Sequence, residues 1–97
     1  TEESPMELEG IVKSVDIPLG YYELFVLIVK EGLLYNTVLR REGGGVNREL
    51  DITAINQLSE NIKPGDRIKV SVVKDDKYIL PLYRVVSQYQ ILDRKDP

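Results

Sequence analysis

The chain contains no cysteine and no histidine. The first absence excludes disulfides and thiolate metal sites. The second removes the commonest general base and the commonest metal ligand. There is no tryptophan, and one phenylalanine and one methionine. No apolar run approaches the roughly 20 residues needed to span a bilayer as a helix. The longest, Leu24 to Val29, has the length of a strand. The first ten residues, TEESPMELEG, are acidic where a secretory leader is basic. The expectation from these absences is a soluble cytoplasmic protein with no cofactor, no metal and no membrane partner.

What is present suits one small domain. The chain has 97 residues, 42% of them hydrophobic, enough for a single core. The net charge of −3 comes from 16 acids and 13 bases, but it is unevenly spread. Residues 1–9 hold Glu2, Glu3, Glu7 and Glu9 with no base, which leaves twelve acids against thirteen bases in the rest. That near-neutral body lacks the strongly basic balance of a duplex-binding protein. A local basic groove with stacking rings suffices for a single strand, so single-strand binding stays open.

Hydrophobic periodicity divides the chain into strands and one helix. Residues 1–5 read as a flexible acidic end. MELEGIVKSVD (6–16) alternates as a half-buried strand, with Gly10 marking a bend or bulge. IPLG (17–20) is a turn. YYELFVLIVK (21–30) and LLYNTVLRR (33–41) form a hairpin, and EGGGVNRE (42–49) is a loop. A helix is expected over about 51–62, with Asp51 as N-cap and Leu50 and Ile55 at hydrophobic-staple spacing. Ile52, Ile55, Leu58 and Ile62 form its apolar stripe, and Pro64-Gly65 stops it. RIKVSVVK (67–74) is a strand with Ile68, Val70 and Val72 inward. KYILPLYRVVSQYQIL (77–92) returns it, broken or at an edge near Pro81. The domain is therefore read as 6–92, with 93–97 a polar tail.

The order is three strands, a helix, then two strands. This is the order of the OB-fold, a five-stranded Greek-key barrel, and the one-sided stripe suits a helix that plugs the barrel. Another small barrel of SH3-like type is the alternative. NIKPGDRIKV, from helix end into the fourth strand, is similar to its counterpart in archaeal single-stranded-DNA-binding proteins and replication protein A domains. GIVKSV in the first strand also resembles theirs. The resemblance implies a non-enzymatic module that binds single-stranded DNA or RNA, with DNA replication as its setting.

No stretch carries a catalytic pattern. Gly43-Gly44-Gly45 is followed by Val46-Asn47-Arg48, not by the Lys-Ser/Thr of a phosphate-cradling loop, so it reads as a connecting loop. Asp75-Asp76 reads as a turn, and Glu7 and Glu9 share a strand face without a base or nucleophile beside them.

Two binding surfaces follow from alternation. For a nucleic acid, Tyr21, Phe25, Tyr35 and Tyr83 are candidate platforms, each stacked base being worth about 1–3 kcal/mol. Arg40, Arg41, Arg48, Lys69 and Lys77 are the candidate phosphate contacts. For a protein, the informative strand is the second. Tyr22, Leu24, Val26 and Ile28 form an apolar inner set, yet Phe25, Leu27 and Val29 on the other face are apolar too. Leucine and valine are poor stacking platforms, so that face points to a partner protein or a second copy. The competing explanation is that residues 85–92 fold over it. The two readings are thus a single-strand-binding module and an accessory interaction subunit of a larger replication or transcription complex.

Overall fold

The first strand does two jobs, and the architecture follows from that. In the computed structural model, which describes residues 4–17, 23–40, 45–76, 79–86 and 89–94, β1 spans Met6–Asp16. Its first half, Met6 to Ile11, pairs antiparallel with β4 (Arg67–Asp75). Its second half, Ile11 to Asp16, pairs antiparallel with β2 (Leu24–Lys30). One strand can serve two neighbours only if it bends. A bulge between Val12 and Ser14 supplies the bend, with Lys13 as the extra residue. Gly10 serves close approach and not the bulge itself: a Cβ there would lie 2.5 Å from the Val29 carbonyl oxygen.

β2 and β3 (Leu33–Leu39) form the expected hairpin. Its two turn residues, Glu31 and Gly32, have φ of 52° and 78°. Two left-handed residues make a type I′ turn, whose twist matches that of the strands it joins and which fixes their register. β3 then meets β5 (Leu82–Val85) in a short parallel pairing, Thr37 with Tyr83 and Val38 with Arg84. β5 pairs antiparallel with β4, which closes the ring β1-β2-β3-β5-β4. β6 (Gln90–Asp93) continues along the same edge of β4. The fifth barrel strand is thus delivered in two pieces. The break expected near Pro81 is present, since β5 begins only at Leu82, and a second one, not expected, separates Val85 from Gln90. The barrel order is the OB-like order read from the sequence.

The core fills the ring. Leu24, Val26 and Ile28 of β2 are each 0% exposed and meet Leu8, Val12, Ile68, Val70 and Val72. The alternation read for β2 and β4 is therefore the observed one. Tyr22 and Tyr21 lie outside the described residues, and β2 begins at Leu24.

The helix differs at its start. α1 spans Arg48–Asn61 and is capped by Asn47, not by Asp51. Asn47 has an extended backbone, its carbonyl accepts from the Asp51 amide (3.0 Å), and its Oδ1 accepts from the Leu50 amide (3.2 Å). Asp51 lies one turn inside, buried, and accepts from the Gly45 amide (2.9 Å). The Leu50–Ile55 staple is consequently absent and Leu50 is exposed. Ile55 and Ile62 reach the core with Leu58 beside them, while Ile52 is exposed because Asp51 takes the inward position one residue earlier.

Beyond the helix, one residue joins four parts of the chain. Lys63-Pro64-Gly65-Asp66 is a tight turn closed by the Asp66 amide on the Lys63 carbonyl (3.1 Å), with Gly65 at φ 95°. The Asp66 carboxylate is buried. Its Oδ2 accepts from the Lys63 amide (2.9 Å) and from Arg94 Nη2 (3.0 Å), and Oδ1 accepts from Arg94 Nε (3.2 Å). Its carbonyl accepts from the Val12 amide (2.8 Å), and the Val12 carbonyl accepts from the Gly65 amide (2.8 Å). Arg94 also donates to the Asn61 carbonyl at the helix end. Ordered contacts therefore run past Leu92 into the segment read as a tail.

Arg94 hydrogen bonding, helped by the Lys63 amide, holds the Asp66 carboxyl below its ordinary 3.8 against the opposing effect of burial. A carboxyl whose folded pKa is lowered adds stability that is complete above its unfolded pKa and is lost as pH falls through the folded one. Asp66→Asn should cost about 1.5–3 kcal/mol at pH 7, because it weakens the charged hydrogen bonds between a buried carboxylate and the half-exposed Arg94. Urea unfolding at pH 7 and pH 3 checks this. The wild type should lose more stability than the variant between those values.

Candidate binding groove

The hairpin register decides what lies on the outside of the barrel. With Leu24, Val26 and Ile28 inward, Phe25, Leu27 and Val29 face out. The pairings extend this face over three strands as rows: Asp16–Phe25–Val38, Ser14–Leu27–Asn36 and Ile11–Val29–Leu34. Six of these nine side chains are apolar. Over the first two rows lies a groove of about 660 Å³. Phe25, Leu27, Ser14 and Asn36 line it together with Leu34, and Leu80, Pro81 and Tyr83 line it from the segment entering β5. Leu34 is 56% exposed and Leu80 77%. Volumes of this order suit a ligand or a few side chains.

Asp16 is the one charged residue on that lining, and it has no ion-pair partner among the described residues. The candidate cations lie elsewhere. Arg40, just past β3, donates through Nε to Glu23 (2.7 Å) and is ion-paired with it. Lys69 is on the β1–β4 face, 3.3 Å from Glu7 and next to the Arg67–Glu9 pair. Arg48 opens α1 at the exposed surface. Arg41, Lys77 and Tyr21 lie outside the described residues.

The aromatic candidates separate too. Phe25 and Tyr83 line the groove. Tyr35 has the inward parity of β3, packs against the core, and meets Tyr83 edge-on with ring centroids 5.2 Å apart. Of the apolar candidates, Phe25 and Leu27 line the groove, whereas Val29 lies one row on, in a second cleft with Ile11, Lys30 and Arg67. The described residues of 85–92 do not cover this face. β5 and β6 pair with β4, and Val85, Tyr89 and Ile91 pack against the core.

Leu34, Asn36, Ser14, Asp16, Leu80 and Pro81 were not foreseen as site residues. Leu34 and Asn36 were legible, since a two-residue turn after outward Val29 forces Leu34 and Asn36 outward. Ser14 and Asp16 depend on the bulge. Leu80 and Pro81 carry no sequence signal for their position.

No protein-family model matches the chain, and no curated protein does. Solved structures do. A chain of the S. pombe Stn1-Ten1 complex superposes with a TM-score of 0.65 at 13% identity, over 91% of this chain. This chain spans only 57% of that one. OBody NL8, bound to hen egg-white lysozyme, superposes with a TM-score of 0.67 at 14% identity, over 96% of this chain and 98% of its own. At such identities the likeness is one of fold, and the fold is the OB barrel.

Adjacent residues of β2 provide the check on inside and outside. Ile28→Ser should cost about 3–5 kcal/mol, by leaving a cavity and a buried hydroxyl. Leu27→Ser should cost under about 1.5 kcal/mol, as expected for a half-exposed site. Chemical denaturation of both variants measures the contrast.

Proposed function

We propose that this OB barrel is a non-enzymatic docking module, which holds an apolar segment of a partner protein against β1, β2 and β3 as the accessory subunit of a larger assembly. One observation carries the reading. Both faces of β2 are apolar, and the outer one lines a groove whose only charge among the described residues is a carboxylate. A groove for phosphates needs cations, and Arg40 and Lys69 lie off its lining. An apolar floor with a polar margin is the make-up of a protein interface core. The complementary partner segment is apolar and carries a Lys or Arg for Asp16. Both similar OB barrels also occur in protein complexes, one of Stn1 with Ten1 and one of an OBody with lysozyme.

A second reading has its own support. Phe25 and Tyr83 line the same groove, and two rings there could stack bases of a single strand. Arg40, Arg41, Arg48, Lys69 and Lys77 would then have to reach its phosphates.

Paired variants separate the two readings. Partners captured from cell extract on the wild type are compared with those captured on Phe25→Ala/Leu27→Ser and on Arg40→Glu/Arg41→Glu. The docking reading expects the first variant to lose a partner by about tenfold or more, as for hot-spot residues, and the second to retain it. Retention by the first variant and loss by the second, sensitive to nuclease, would replace docking with nucleic-acid binding.

A further inference from the structure

The hairpin also determines which backbone groups of β3 lack partners. A two-residue turn closes on a hydrogen-bonded pair, here Lys30 with Leu33. Antiparallel pairs alternate from there, so Ile28–Tyr35, Val26–Thr37 and Leu24–Leu39 exchange backbone hydrogen bonds. Leu34, Asn36 and Val38 therefore turn their N–H and C=O groups to the opposite edge. At that edge β5 meets β3 only at Thr37 and Val38. The parallel pairing of Thr37 with Tyr83 runs through the residues on either side of Thr37, so the Tyr83 amide donates to the Asn36 carbonyl and the Val38 amide donates to the Tyr83 carbonyl. Among the described residues nothing pairs there with the N–H and C=O of Leu34 or with the N–H of Asn36.

The reason the ladder stops is visible in β5. Carrying the register of Thr37 with Tyr83 downward would set Pro81 opposite Tyr35 and Leu80 opposite Leu34. Pro81 has no N–H to donate. Ile79 and Leu80 instead stand exposed. Open edges are ordinarily guarded by a charge, a proline or a bulge on the edge itself. Leu33-Leu34-Tyr35-Asn36 has none of these. The two residues with open backbone groups, Leu34 and Asn36, are also the two residues of β3 that line the groove.

We infer that the partner segment binds by strand addition: it lies extended along the open edge of β3 and pairs with the N–H and C=O of Leu34 and with the N–H of Asn36. This rests on the docking reading and specifies its geometry. Main-chain pairing then supplies sequence-tolerant affinity, and side chains at alternate positions supply selectivity. Every second side chain enters the groove beside Leu27, Leu34 and Leu80 and is apolar. A Lys or Arg directed down the groove meets Asp16, the charge on its lining without an ion-pair partner among the described residues.

The probe is a displayed library of random linear twelve-residue peptides, selected on the full chain and counter-selected on Phe25→Ala/Leu27→Ser. Selected peptides should show apolar residues at every second position with a Lys or Arg. In the free protein the Leu34 and Asn36 amides should exchange rapidly with solvent while those of Tyr35 and Thr37 are protected. Bound peptide should slow exchange at Leu34 and Asn36 by about tenfold or more. N-methylation of the peptide at alternate nitrogens should weaken binding about fivefold or more in one phase and little in the other, the effect of losing edge hydrogen bonds. Asn36→Pro should weaken binding similarly and still fold, because that amide is outside the β2 ladder. If that variant misfolds, the methylated peptides decide.

Binding that depends on Phe25 and Leu27 but tolerates methylation in both phases and leaves both amides unprotected would overturn strand addition and leave docking standing. A library that yields no groove-dependent peptide would overturn both. So would an oligonucleotide that displaces selected peptides without protecting Leu34 and Asn36.

Discussion

The buried carboxylate of Asp66 is the contact on which the rest of the barrel depends. A carboxylate at 1% exposure is tolerated only when its lone pairs are filled. Asp66 fills them with a local amide, Lys63, and a distant guanidinium, Arg94. The same residue's carbonyl receives the Val12 amide, one residue before the bulge. The turn after α1, the start of β4, the bend of β1 and the chain end are thereby set relative to one another. That arrangement lets β1 leave β4 and join β2, and so lets the ring close.

Closure has a consequence for function. A barrel of this size is filled by one inward set of side chains, here mainly Leu, Ile and Val. The outward set is then released from any duty to the core, and polar residues are its ordinary occupants. On β1 and β4 they are present, as the pairs Glu7–Lys69 and Glu9–Arg67. On β2 and β3 they are largely replaced by Phe25, Leu27, Val29, Leu34 and Val38. The contrast within one sheet carries the proposed docking surface more firmly than any single residue does. The gap left where Pro81 ends the β3–β5 ladder lies at the margin of that surface, so the apolar groove and the open backbone edge are one feature.

Much of this was legible in the residues. Alternation assigned both faces of β2, and the strand-helix order gave the barrel. Glu31-Gly32 marked the hairpin. Other parts depended on long-range partners that no local pattern reveals. Asp51 has the chemistry of a cap, and Asn47 prevailed because its carbonyl closes the first helical turn while Asp51 binds the Gly45 amide. Lys13 became a bulge through the demands of two neighbouring strands. Arg40 and Lys69 read as available cations, and only the fold brings Glu23 and Glu7 to them. Tyr35 read as a stacking ring, but the hairpin register turns it inward against Tyr83. The apolar outer face was visible in the sequence, whereas the placement of Val85, Tyr89 and Ile91 against the core required the β4–β5 and β4–β6 pairings.

The central claim is that the groove recognises apolar side chains and not phosphates. Fluorescence anisotropy with a labelled mixed-sequence single strand, at about 50 and 200 mM salt, tests it most directly, because phosphate contacts weaken steeply across that range. The account predicts no micromolar binding at the lower salt and little change at the higher. Micromolar or tighter binding at 50 mM salt that falls by about tenfold or more at 200 mM would contradict it.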